Sequence, residues 1–140
     1  MTTIFADHKK GVMVCDSRCT DGNTWHPVTK VFQVGDELVG MAGDVKDGRA
    51  WLKWYQSGKK GARPKLDNFT GISLRKDGVY EHCENGLELL IERGFHGVGS
   101  GGPLAIAAFM AGADAEKSVH IATSIDAGSG GEIHTYKLKK

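Results

Sequence analysis

The grouping of strand-like and helix-like segments along the chain narrows the fold more than any other feature. Four strand-like runs come first, at residues 2–7, 12–15, 30–34 and 37–42. A helix follows, started by Asp44 and running to about Ser57. Its Trp51, Trp54 and Tyr55 fall at i, i+3 and i+4 and mark one face for burial in a core or interface. Strands return at 69–74 and 79–83, joined by Arg75-Lys76-Asp77-Gly78 with its favoured Asp-Gly turn, and again near 95–98. Two helices come next: 103–113, with Pro103 in the first turn, and 115–125, capped by Asp114. A last strand spans 133–138, while 20–27 and 58–65 read as polar loops. Strands set apart from helices predict an α+β fold with a mainly antiparallel sheet, not alternating βαβ units.

At 140 residues the chain is expected to form one domain, 1–140, with a real core. The net charge of +1 argues against nucleic acid or an anionic membrane as the main partner. The longest apolar run, 103–113, is too short to span a bilayer. The N-terminus has no basic segment followed by an apolar core, so no signal peptide is expected. With that, the odd set Cys15, Cys19 and Cys83 predicts free thiols in a reducing cytoplasm. The six histidines are scattered, and the cysteines lack zinc-finger spacing, so neither a metal nor any other cofactor is expected.

Several short segments carry chemistry. An aminopeptidase that removes Met1 ahead of a small residue would leave Thr2 with a hydroxyl and a free amine. That pairs a nucleophile with a base whose reference pKa is about 7.7–8.0. Lys30 opens an apolar strand, where an ammonium is costly unless paired, and Asp16 at the end of the second strand can pair with it. The pair would tune the amine, or would be an ordinary strand-end ion pair. Gly43 lies at a strand-to-helix junction, where free backbone N–H groups suit an oxyanion. Gly97-Val98-Gly99-Ser100-Gly101-Gly102 matches G-x-G-x-x-G, but a helix follows where a dinucleotide fold needs a parallel strand. Ser100 reads instead as a hydroxyl presented at a helix start. Asp126 and Ser129 follow the last helix, either as a helix terminus or as hydrogen-bond partners of the threonine.

These segments, with Thr2-Thr3-Ile4, Cys15-Asp16-Ser17-Arg18-Cys19-Thr20, Thr29-Lys30-Val31 and Met41-Ala42-Gly43-Asp44, resemble in order the proteasome β-subunits and HslV peptidases among the N-terminal-nucleophile hydrolases. The resemblance implies a four-layer αββα sandwich of two antiparallel sheets. One helical layer should be reduced, because residues 59–67 are too short for the second long helix of that family. It implies a threonine-type endopeptidase with Thr2 as nucleophile, Asp16 and Lys30 tuning it, and Gly43 in the oxyanion hole. Ser100, Asp126 and Ser129 would complete the network. Thr20 and Gly43 would hold the substrate backbone, and Cys19, Val28, Phe32, Met41 and Val45 would line an apolar side-chain pocket. A peptide or unfolded-protein substrate, a homo-oligomeric ring and a separate ATP-driven unfoldase are implied as partners. A small-amide hydrolase and a silent assembly subunit remain the alternatives.

Overall fold

The structure is a computed structural model and describes residues 1–139. Strands β1 (Ile4–Asp7) and β2 (Val12–Cys15) form a hairpin, followed by a second hairpin of β3 (Arg18–Asp21) and β4 (Thr24–Pro27). Then come β5 (Val31–Val34), β6 (Glu37–Gly43), helix α1 (Val45–Gln56), β7 (Phe69–Arg75), β8 (Gly78–Cys83), β9 (Glu88–Leu90) and β10 (Phe95–Val98). Helices α2 (Gly102–Met110) and α3 (Ala115–Ile125) and strand β11 (His134–Lys137) complete the order.

Two sheets carry the fold. The first has the order β10-β1-β2-β11 and the second β5-β6-β7-β8-β9, with every pairing antiparallel. The sheets pack face to face through Ile4, Ala6, Met13, Cys15, Leu38, Ile72 and Leu74. On the outer face of the first sheet, Phe5 and Val14 meet Ala105, Val119 and Ala122 of α2 and α3. On the outer face of the second, Val39 and Phe69 meet Trp51 and Tyr55 of α1. Alternation explains these layers. Phe5 points away from its neighbours Ile4 and Ala6, and both faces are buried, so the strands read as unbroken apolar runs. The result is an αββα stack with one helix on one side and two on the other, and no helix occupies the α1–β7 connection. No helix among the described residues is long and apolar enough to cross a membrane.

Three local expectations need correction. Residues 20–27 form most of the β3–β4 hairpin, not a loop; all four residues of β4 are exposed, so no apolar alternation marks it. Strand β9 pairs with β8 at the sheet edge, between the expected strands at 79–83 and 95–98, where none was expected. Asp44 starts α1 but makes no side-chain cap; its carboxylate accepts from Asn68 Nδ2 at 3.0 Å. Asp114 does cap α3, accepting from Lys117 N at 2.8 Å.

Between α1 and the second sheet lies a polar network. His82 is buried against Trp51 and Tyr55 and its Nε2 is 2.9 Å from Ser73 Oγ. Arg75 donates to Glu88 at 2.5 Å and to the Tyr55 hydroxyl at 2.8 Å. Burial, helped by Arg75, Lys59 and Arg63 and opposed by Glu88, pushes the His82 pKa down from 6.5 to about 4. A histidine held neutral in the fold binds its proton more readily once unfolded. Its contribution is therefore complete above about pH 6.5 and is lost as pH falls toward 4. We expect about 2 kcal/mol to be lost through His82 between pH 7 and pH 4.5. Urea unfolding at the two pH values should show a smaller loss, by about that amount, in His82→Gln.

Candidate active site

The site begins with a buried carboxylate. Asp16 follows β2 and is 0% exposed. The β1–β2 register pairs Ile4 with Cys15, which sets Thr3 beside Asp16. The Asp16 carboxylate accepts from Thr3 N at 3.0 Å, from Gly130 N at 3.0 Å, and from Lys30 Nζ at 2.9 and 3.0 Å. Lys30, just before β5, is 6% exposed. Its ammonium also donates to Thr2 Oγ1 at 3.3 Å and to the Met1 carbonyl at 2.9 Å. A buried ammonium and carboxylate persist only when each is paired and hydrogen-bonded, and both conditions hold here.

Two loops close on Thr2 and Thr3 from the other side. Gly101 N donates to the Thr2 carbonyl at 3.1 Å, and the Ser100 hydroxyl lies 3.5 Å from the same oxygen. A Cβ on Gly99 would sit 2.1 Å from the Thr2 carbonyl oxygen, and one on Gly101 1.8 Å from Thr3 Oγ1. The glycines of the G-x-G-x-x-G run thus admit the N-terminal segment itself. Asp126 accepts from Ser100 Oγ at 2.6 Å and from Ser129 Oγ at 2.5 Å. Because Ser129 donates to Asp126, the Thr3 hydroxyl donates to Ser129, at 2.7 Å. Partial burial works to raise the Asp126 pKa, but the Ser100 and Ser129 hydroxyls and the Gly128 N–H prevail and hold it below the usual carboxylate range.

A cavity of about 380 Å³ opens beside Thr2. Cys19, Val28, Phe32, Met41, Gly43 and Val45 all line it. Gly43 has φ +108°, and a Cβ there would meet the Asn68 carbonyl oxygen at 2.3 Å, so the junction requires glycine. Thr20 lies outside the cavity, exposed on β3 and paired with Trp25. Ser100, Asp126 and Ser129 reach the N-terminal segment through the Thr2 carbonyl and through Thr3, while the Thr2 hydroxyl faces Lys30.

Sequence reasoning passed over four contributors. Thr3 supplies both an N–H to Asp16 and a hydroxyl to Ser129. Arg18 donates from one guanidinium nitrogen to the Ala127 and Ser129 carbonyls, each at 2.8 Å, and so ties the 126–131 loop to β3. Arg49 and Leu52 line the cavity one and two helical turns beyond Val45, a spacing that could have been read. Asp16→Ala should cost about 3–5 kcal/mol, because it strands the Lys30 ammonium in the interior. The double variant Asp16→Ala/Lys30→Met should recover part of that loss, as measured by urea unfolding.

No family model matches the chain, and no curated protein matches it. Solved structures do. HslV from Trypanosoma brucei superposes with a TM-score of 0.77 at 22% identity, over 99% of this chain and 100% of that one. BPH from Thiobacillus denitrificans, in complex with epoxomicin, superposes with a TM-score of 0.73 at 17% identity, over 99% and 100% of the two chains. A second BPH structure from the same organism gives 0.70 at 15%, over 99% and 98%. The likeness is one of fold, and it covers the whole chain: this protein has an HslV-like α+β fold.

Proposed function

We propose that the chain is a threonine-type endopeptidase that acts once Met1 is removed. The observation that carries this reading is the Thr2 hydroxyl 3.3 Å from Lys30 Nζ, which is itself fixed by the buried Asp16, beside a largely apolar cavity. With Met1 gone, the Thr2 amine takes the proton from its own hydroxyl. The adjacent Lys30 charge disfavours a second cation and keeps that amine neutral near pH 7. Lys30 stabilises the developing alkoxide, and the oxygen attacks the scissile carbonyl carbon. The Gly43 N–H receives the oxyanion. Collapse breaks the C–N bond, the proton passes from the Thr2 amine to the leaving amine, and an ester on Thr2 remains. Water then attacks the ester with the same amine as base, releasing acid and restoring Thr2.

Cys19, Val28, Phe32, Met41 and Val45 favour an apolar side chain before the scissile bond, and Thr20 with Gly43 would hold the extended backbone. The resemblance of the sequence motifs to the proteasome β-subunit and HslV family extends the reading to a cytoplasmic homo-oligomeric ring, fed with unfolded protein by an ATP-driven partner. The second reading is a silent assembly subunit: if a residue stays ahead of Thr2, the Thr2 nitrogen is an amide, and the added carbonyl can take a Lys30 hydrogen bond, as that of Met1 does at 2.9 Å.

Intact mass spectrometry with epoxomicin separates the two. The peptidase should lack the methionine mass and take up one adduct per chain, mapping to Thr2. Retained Met1 with no adduct would put the assembly reading first. Thr2→Ala should abolish adduct and peptide turnover while the fold persists. Lys30→Ala should lower turnover about 10²-fold or more.

A further inference from the structure

We propose that Arg49 sets the charge selectivity of the side-chain cavity, so that it takes apolar side chains first, acidic ones second, and rejects basic ones. This rests on the peptidase reading above and names the substrate class within it. Helix α1 presents Val45, Gly48, Arg49 and Leu52 to the cavity at i, i+3, i+4 and i+7, one face of the helix. Gly48 has no side chain to stand between α1 and β6; a Cβ there would lie 3.5 Å from Met41 Cβ. That is ordinary van der Waals distance, so α1 packs directly on β6 here, and Arg49, the next residue, is exposed and lines the cavity.

Four charged residues contribute to that wall: Arg18, Lys30, Asp44 and Arg49. Lys30 is matched by Asp16 behind it. Asp44 is engaged by the Asn68 amide at 3.0 Å. Arg18 donates to two backbone carbonyls, which fix its position and leave its charge uncompensated. Arg49 makes neither an ion pair nor a side-chain hydrogen bond among the described residues, although it is exposed and long enough to reach one. The lining thus joins an apolar interior to a net positive mouth. A concave, low-dielectric wall concentrates that field. A lysine side chain entering the cavity meets like charge, whereas a glutamate can pair with the planar guanidinium.

Three fluorogenic peptides that differ only before the scissile bond, carrying Leu, Glu or Lys, test the proposal on the native chain and on Arg49→Glu. The native chain should rank Leu first, Glu second and Lys last in kcat/KM. Relative to the Leu peptide, Arg49→Glu should shift each charged substrate about fivefold in opposite directions, reversing their order. Arg49→Gln should fall between. Cleavage of the Leu peptide with an unaltered Glu-to-Lys ratio in both variants overturns the role of Arg49 alone. No cleavage of any peptide by the native chain overturns the peptidase reading and this proposal together.

Discussion

The buried Asp16 carboxylate organises the molecule around it. Four hydrogen bonds from three donor groups converge on it, one group from each of three separate stretches of chain: Thr3 before β1, Lys30 before β5, and Gly130 in the loop before β11. Each would leave an unsatisfied polar group in the interior if the carboxylate were lost, at a cost of about 1–3 kcal/mol per group and more for the ammonium. The sheets can therefore pack as they do only if these three stretches meet at one point. The chemistry and the architecture share a single anion.

Much of the fold could be read from the residues because both faces of both sheets are covered. β1, β2, β6 and β7 carry apolar side chains on each face, so their identity survives without an alignment. The β3–β4 hairpin could not be read in this way. Its side chains face solvent, and only its backbone pairing makes it a sheet. β9 is three residues long at an edge and leaves as little trace. Asp44 shows the limit of cap rules: Asn68, distant in sequence, draws its carboxylate away from the helix end.

The site divides along the same line. Thr2, Asp16 and Lys30 could be picked out by residue type, since a lysine in an apolar strand and an acid at a strand end ask to be paired. Thr3 and Arg18 could not, because their importance lies in which backbone groups they touch, and tertiary structure alone decides that. The glycines at 99 and 101 illustrate the difference. Their spacing imitates a nucleotide loop, while their actual occupant is the chain's own N-terminal segment.

That segment alternates like a strand before β1 begins. Thr2 turns its hydroxyl toward Lys30, and Thr3 turns its own toward Ser129. Two adjacent threonines, alike in chemistry, are thus made unlike by the pleat. A cut one bond too late would uncover a threonine amine whose hydroxyl faces the serine–aspartate side, with the ammonium behind it. Under the proposed peptidase reading, parity along the backbone decides which of two identical side chains would become the nucleophile, and trimming of this terminus would have to stop at a single bond.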